Sequence, residues 1–474
     1  MKFAITTQLL KQVHLQTGHS SLTPVTYHPD KNVLYKEEHE LLQSRILQLC
    51  PSHIWPKGSH DLACPRPILI ADQHKEQLFK LHSALSTAIT DIVERWWTDA
   101  DARFPARMPL GPDFLVEEAL AGAEVENFRI TEINGRFSFN GFMHQAYGQA
   151  SLDCLGLREN GAVAATDPAE LLCGLLELFN PDLPLHLLKG QELGIDIHMV
   201  IDFLHRQLGT RPRLVTPADL RVLPDPQNTD QLKLYCIVKD SAGPVNASSP
   251  QPITIDGETV EEVHQVGLEL HQHELFGMPR EMLRQLSLRC FNDLRTILLV
   301  HDKRMLGVVK QEIPSLVARR ILTLAQGEML ERGIADTILP GSAELNDLIQ
   351  GSIQGNAELR EEYLLKPIRG GKGAGIVFGD EMDPSEWVHA LERLRTPSLE
   401  AGATTYVVQR RVHPRLYEVV LKSGGDQGYY PLIGTYHAVH GRCLGFGIWR
   451  SSPQRICAVS NGGSWMCTIM KKTQ

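Results

Sequence analysis

The segment Phe128 to Asn134, FRITEIN, alternates in character, and a strand there places Phe128, Ile130, Glu132 and Asn134 on one face. Phe128 and Ile130 are expected to face a core while Glu132 and Asn134 emerge at the strand end. Asp113 opens the partner strand of the same hairpin, which brings it toward Glu132. Two carboxylates and an amide oxygen form a hard-oxygen set suited to magnesium carrying nucleotide phosphates. The competing reading is a group of strand-end polar residues in water. Two such carboxylates repel each other without a metal, so neutralising Glu132 is expected to leave the fold intact and even to raise its melting temperature when magnesium is absent.

A second stretch, YLLKPIRGGKGAG, ends an apolar strand on Lys366 and then places four glycines within six residues. A lysine on a buried strand is unusual unless it has a partner. Backbone N–H groups of Gly370 to Gly375 can cradle phosphate oxygens, with Lys366 as the point charge. The run matches neither GxxxxGK[ST] nor GxGxxG, so the glycines alone are a weak signal. Lys372, inside the loop, reads as a solvated lysine with a ligand contact as the alternative. Lys303 follows the apolar run TILLV, read here as a strand, and alone it would mean little.

Other candidates carry less. In HQHE, His271 and His273 are two apart in a helical context, which turns them to different sides and argues against a shared metal. His198 reads as a core or interface histidine. There is no GxSxG motif and no cysteine in a recognisable nucleophile context.

The elements that must position these residues follow from periodicity. Leu78, Leu81, Leu85, Ile89, Ile92 and Trp96 recur at helical spacing and predict a long amphipathic helix with a core-facing stripe. The stretch PDFLVEEALAGAEVENFRITEIN predicts two strands joined by a small-residue turn. LPLHLLKG, GIDIHMVIDFLHRQLG and PRLVTP predict strand, helix and strand with a stop at Gly209, hence some parallel sheet. SAGPVNASSPQPITIDGE predicts a loop, followed by a helical stretch from VEEVHQVGLELHQHELF to about Leu294. The last third alternates strands with the helix PSEWVHALERL.

Composition bounds the function. The 474 residues carry a net charge of -9 with 42% hydrophobic and 22% charged residues, and a pI near 6.1, which argues against nucleic-acid binding through a basic surface. Nine scattered cysteines without a CxxC pair suggest reduced thiols and a cytoplasmic location. The N-terminus lacks a signal-peptide pattern, and no apolar run reaches the ~18 residues of a membrane span. The triplet at Asn246 therefore reads as a chance sequon. Oligomeric state is open, a homodimer included.

Taken in order, the Glu-x-Asn strand, a lysine at mid-chain, LKPIxGxxG, YVVQ and YPLIGTYHAVHGRCLGFGIWR resemble the glutathionylspermidine synthetase family, a circularly permuted branch of the ATP-grasp ligases. The resemblance runs from about Pro109 to Ile469. It implies an α/β (α+β) chain with a permuted ATP-grasp fold: a mainly helical segment over 1–105, the metal-binding part of the core over 106–180, a pre-ATP-grasp-like α/β domain over 181–300 and a nucleotide-binding lobe over 301–474. It implies Asp113, Glu132 and Asn134 as magnesium ligands and Lys303 and Lys366 as ATP-binding lysines. Gly370, Gly371, Lys372 and Gly373 fall in the phosphate-covering loop, Gln409 at the hinge near adenine, and Arg450 near the transferring phosphoryl group.

The chain departs from the family at two points. Lys372 stands where a glutamate is expected, and Gly111 where an arginine is expected, so Arg136 is the candidate replacement. The activity implied is joining a small-molecule carboxylate to an amine with ATP and Mg2+. The implied route runs through an acyl phosphate under a mobile glycine loop. A small-molecule kinase and a degenerate binding scaffold are the alternatives. Residues that contact substrate do not visibly match, so neither acid nor amine is named.

Overall fold

The computed structural model describes residues 9–15, 22–25, 32–96, 111–117, 126–137, 139–192, 194, 196–238, 252–354, 357–396, 404–421 and 427–472. The sequon at Asn246, most of the loop before it and the turn of the Asp113 hairpin lie outside them.

The sheet that carries the candidate carboxylates has five antiparallel strands. Their order is Ser464–Met466, Arg442–Ser451, Ile433–Val439, Gly111–Glu117 and Asn127–Asn134. The expected hairpin supplies two strands, and the C-terminal region supplies the other three. One face of the sheet is covered by the helix Asp72–Trp96. Its residues Leu78, Leu81, Leu85, Ile89 and Ile92 pack in one core with Phe114, Phe128, Ile130 and Trp449. The aromatic rings meet edge to face, Phe114 on Trp449 at 5.3 Å, a geometry that adds to area burial. The Trp96 side chain lies outside the described residues.

A second antiparallel sheet orders Thr337–Ile338, Tyr406–Arg410, Tyr363–Pro367 and Val377–Phe378. Helices Ala343–Ile353 and Pro384–Glu392 cover it through Leu345, Ile349, Trp387 and Leu391. Asp383 caps the second helix by accepting from the N–H groups of Ser385 and Glu386. A third sheet is parallel, with Leu185–Lys189 between Gln265–Glu269 and Arg213–Val215. The helix Ile197–Leu208 makes the crossover and stops at Gly209, whose φ of 64° is the left-handed conformation a C-terminal glycine provides.

Three expectations fail. The end of the expected loop is a strand, Ile253–Ile255, paired with Glu258–Glu262. The stretch from Val260 is not helical at its start: Glu258–Glu262 and Gln265–Glu269 are strands, and only Gln272–Phe276 and Arg280–Ser287 are α-helical. In Gln265–Glu269 only Val266 and Leu268 alternate as core residues, a run too short for its period to tell a strand from a helix. TILLV is not a strand either. Thr296–Val300 forms a helical turn of the π type, and Lys303 lies at the start of the helix Arg304–Ala318. A short apolar run does not separate the two by period alone.

Candidate active site

Strand pairing builds the site. Asp113 stands opposite Glu132 while Phe114 stands opposite Ile130, which leaves Thr131 as an extra residue in the Asn127–Asn134 strand. This bulge reverses the facing of the strand. Phe128 and Ile130 enter the core before it and Ile133 after it, while Glu132 and Asn134 turn to a cavity of about 840 Å³. The single shared face expected from alternation is therefore corrected. The convergence of Asp113, Glu132 and Asn134 stands, because the bulge aims Glu132 and Asn134 at the Asp113 side.

The bulge also frees a carbonyl. Lys366 Nζ and Gln409 Nε2 each donate to the Thr131 oxygen at 3.3 Å. Gln409 gives a second bond to Thr337 Oγ1 at 3.0 Å and does not line the cavity. Its amide here is a buried brace between two sheets.

Two buried lysines and the partly buried Arg450 face two carboxylates. Arg450 contacts Asp113 Oδ2 at 2.8 Å, and Lys303 Nζ lies 3.5 Å from Glu132 Oε2. Lys303 Nζ also donates to the Gly370 carbonyl at 2.6 Å, which ties the glycine loop to the carboxylate strand. Burial raises the Glu132 carboxyl, but Lys303, Lys366, His301 and Arg450 outweigh it and hold Glu132 below the ordinary carboxylate range. Asp113 is pushed up by burial and by the Glu132 charge against the pull of Arg450. Burial and the neighbouring Lys303 lower the Lys366 ammonium to about 8, even with Glu132 and Asp113 nearby. His301 is lowered to about 4 by burial, Arg136 and Lys303, so it faces the cavity as a neutral imidazole near pH 7.

The glycine loop follows. Lys372, Gly373 and Gly375 have φ of 60°, 76° and 74°. A Cβ on Gly373 would lie 2.2 Å from Ile456 Cγ2. The loop thus needs glycine there both for its backbone and for its close approach to Ile456. Gly373→Ala is expected to displace the loop, lowering the melting-temperature gain from Mg-ATP by half or more while shifting the apo melting temperature little. Lys372 is not simply solvated: its Nζ pairs with Glu192 Oε1 at 2.8 Å. Glu192 also lies 3.3 Å from His271 and 3.5 Å from Arg136. Arg136 accordingly lines the cavity beside this cluster, with its NH1 2.8 Å from His271 Nδ1.

Of the expected residues, Asp113, Glu132, Asn134, Arg136 and Arg450 line the cavity together with Gly370, Gly371 and Lys372. Lys303, Lys366 and Gly373 stand behind them. Glu192, His271, His301 and Arg369 also line it and were not selected from sequence. His271 sits in a metal-like HQHE string, yet it caps the helix Gln272–Phe276 and points to Glu192, a residue with no motif around it. His198 lines the cavity too. Among the described residues no helix is long and apolar enough to cross a membrane.

The comparisons agree with this architecture. A family model described as the AnkG N-terminal domain matches residues 81–112 and 111–299. The ATP-grasp enzyme ankG of Aspergillus thermomutatus is 35% identical over 418 residues, covering 84% of this chain and 86% of that protein. A glutathione synthetase-like effector from Globodera pallida, solved in apo form, aligns over 94% of this chain and 98% of its own at a TM-score of 0.51 and 12% identity. The fold is thus the mixed α/β fold of glutathione synthetase-like proteins. The chain belongs to the ATP-grasp ligase family.

Proposed function

We propose that the chain is an ADP-forming carboxylate–amine ligase. In this reading a substrate carboxylate takes the terminal phosphoryl group of ATP, and an amine then displaces phosphate to leave an amide. The observation that carries it is the charge arrangement: buried Lys303 and Lys366 and partly buried Arg450 surround Asp113 and Glu132, and the cations outnumber the anions. Such a group is short of negative charge in a way that a polyphosphate would correct. The glycine-lined loop, with no room for a side chain at Gly373, supports the same ligand.

Asp113, Glu132 and Asn134 would hold magnesium, which neutralises phosphate charge. With nucleotide bound, Arg450 would keep Asp113 on one edge and present its other edge to phosphate, and Lys303 would turn from Glu132 to phosphate while the carboxylates held the metal, so no charge would be left unpaired. Arg136, Glu192 and His271 would orient the substrates. Closure of the Gly370 to Gly375 loop would exclude water, which protects an acyl phosphate from hydrolysis.

The test is ADP release with Mg-ATP over pairs of carboxylates and amines, with products read by mass spectrometry. Amine-dependent ADP release with an amide mass supports the ligase. ADP formed with a carboxylate or alcohol alone and a stable phosphorylated product would make the chain a kinase, and no Mg-ATP binding by calorimetry would make it a scaffold.

Lys366 gives an independent check. At pH 8 an ammonium with a pKa of about 8 is about half protonated. A triphosphate beside it raises that value, so binding should take up as much as about half a proton at pH 8 and almost none at pH 6, where Lys366 is already charged. Calorimetry in buffers of different ionisation enthalpy measures the uptake. Equal, near-zero uptake at both pH values would remove Lys366 from the phosphate site.

A further inference from the structure

The cavity extends past the carboxylates to a group of residues that the ligase reading does not use. Ser59 Oγ lies 2.8 Å from His144 Nε2, and His144 Nδ1 lies 2.6 Å from Asp196 Oδ1. Asp196 Oδ2 accepts the Met143 N–H at 2.7 Å, which fixes the carboxylate against the helix Phe142–Asp153 that carries His144. A carboxylate only accepts, so the proton between them belongs to His144 Nδ1. That leaves Nε2 as the acceptor of the Ser59 hydroxyl proton. All three residues are buried, and Ser59 and His144 both line the cavity.

Two further observations separate this set from an ordinary buried staple. The backbone just before Ser59 is left-handed twice in succession, with φ of 49° at Lys57 and 68° at Gly58. A lysine in that conformation is uncommon, and such strain persists where the surroundings impose it. Here it turns the chain so that Ser59 faces His144, while the Ser59 carbonyl is held by Trp465 Nε1 at 2.7 Å. His144 is also fixed from the side, its ring edge-on to Trp55 at 5.0 Å and to Trp465 at 5.7 Å. Gly141, at the start of the Phe142–Asp153 helix, lines the same cavity, so the positive end of a helix opens on it. Beside Ser59 the wall is apolar, formed by Ile54, Trp55, Leu62 and Val459.

We propose that Ser59, His144 and Asp196 form a second catalytic centre, an activated serine that accepts acyl groups with an apolar body from esters. Ser59 Oγ attacks the ester carbonyl carbon as its proton passes to His144 Nε2. The bond to the leaving alcohol breaks, and the alcohol departs with the electron pair and takes the proton from His144. Water then attacks the acyl-Ser59 ester with His144 again receiving a proton, which returns Ser59 and releases the acid. Ser59 and His144 are catalytic residues in this scheme, and Asp196 is a positioning residue that holds the His144 tautomer.

The experiment treats the full chain with a fluorophosphonate and maps the adduct by peptide mass spectrometry, with p-nitrophenyl butyrate hydrolysis as a second readout. Neither depends on ATP, so failure of the ligase reading would not affect it. Labelling is expected on Ser59, and competed by the butyrate ester. Ser59→Ala should abolish labelling, and His144→Gln and Asp196→Asn should slow it about a hundredfold or more. If a variant does not fold, the wild-type adduct position and the competition still decide. No adduct on Ser59 in protein that melts cooperatively, or equal labelling rates in folded His144→Gln, would overturn the proposal.

Discussion

Glu132→Gln should lose magnesium-dependent turnover by on the order of a hundredfold or more, and it should also lower the melting temperature of the apo protein. The second effect reverses the expectation from sequence, in which a metal-free carboxylate cluster only repels itself. Glu132 instead lies 3.5 Å from buried Lys303, and with Lys366 it forms a compensated cluster. Removing one partner of a buried pair leaves a cation without its counter-charge, at a cost on the order of 3 kcal/mol. Lys366 has a folded-state value of about 8, already below that of a free lysine. Losing Glu132 lowers it further, so this part of the destabilisation is largest where the folded lysine is charged and is lost as pH rises through about 8. Thermal melts of both proteins at pH 7 and pH 9.5, with and without magnesium, test the electrostatic part. A variant that melts above the parent at pH 7 would show that carboxylate repulsion outweighs the lysine contacts.

The legible part of the site was local. Glu132, Asn134, Lys366 and the glycine run each sit in a short string whose residue types state a chemistry, and the structure brings them into one neighbourhood. The bulge at Thr131 was not legible. FRITEIN is a regular alternating strand on paper, and only pairing with Gly111–Glu117 reveals the extra residue. The sheet itself was half visible, because Ile433 pairs with Leu115 across most of the chain and no local pattern encodes that contact. Glu192 shows the same limit: its role comes from Lys372, Arg136 and His271, which approach it from distant positions. Nor does the YVVQ string state the contacts of the Gln409 amide with Thr131 and Thr337, which come from two other strands.

Arg450→Lys should retain nucleotide affinity within about threefold and lose turnover by on the order of a hundredfold. Arg450 sits on the strand Arg442–Ser451, paired with Ile433 on one side and Trp465 on the other, so its backbone is fixed on both sides. Its NH2 contacts Asp113 at 2.8 Å, while its buried Nε has no hydrogen-bond partner among the described residues. A guanidinium can keep Asp113 on one edge and present the other to a phosphoryl oxygen. An ammonium carries the same charge but has no second edge at a fixed distance and angle. The charge balance with Asp113 therefore survives the substitution, and the fold and ground-state binding should survive with it. What is lost is simultaneous contact with the carboxylate and the moving phosphoryl group, an interaction needed as the bond changes hands. Titration calorimetry with Mg-ATP, a thermal melt and steady-state ADP release on the same preparation separate the three quantities. Unchanged turnover would place Arg450 away from the reacting centre and leave it as the structural counter-charge of Asp113.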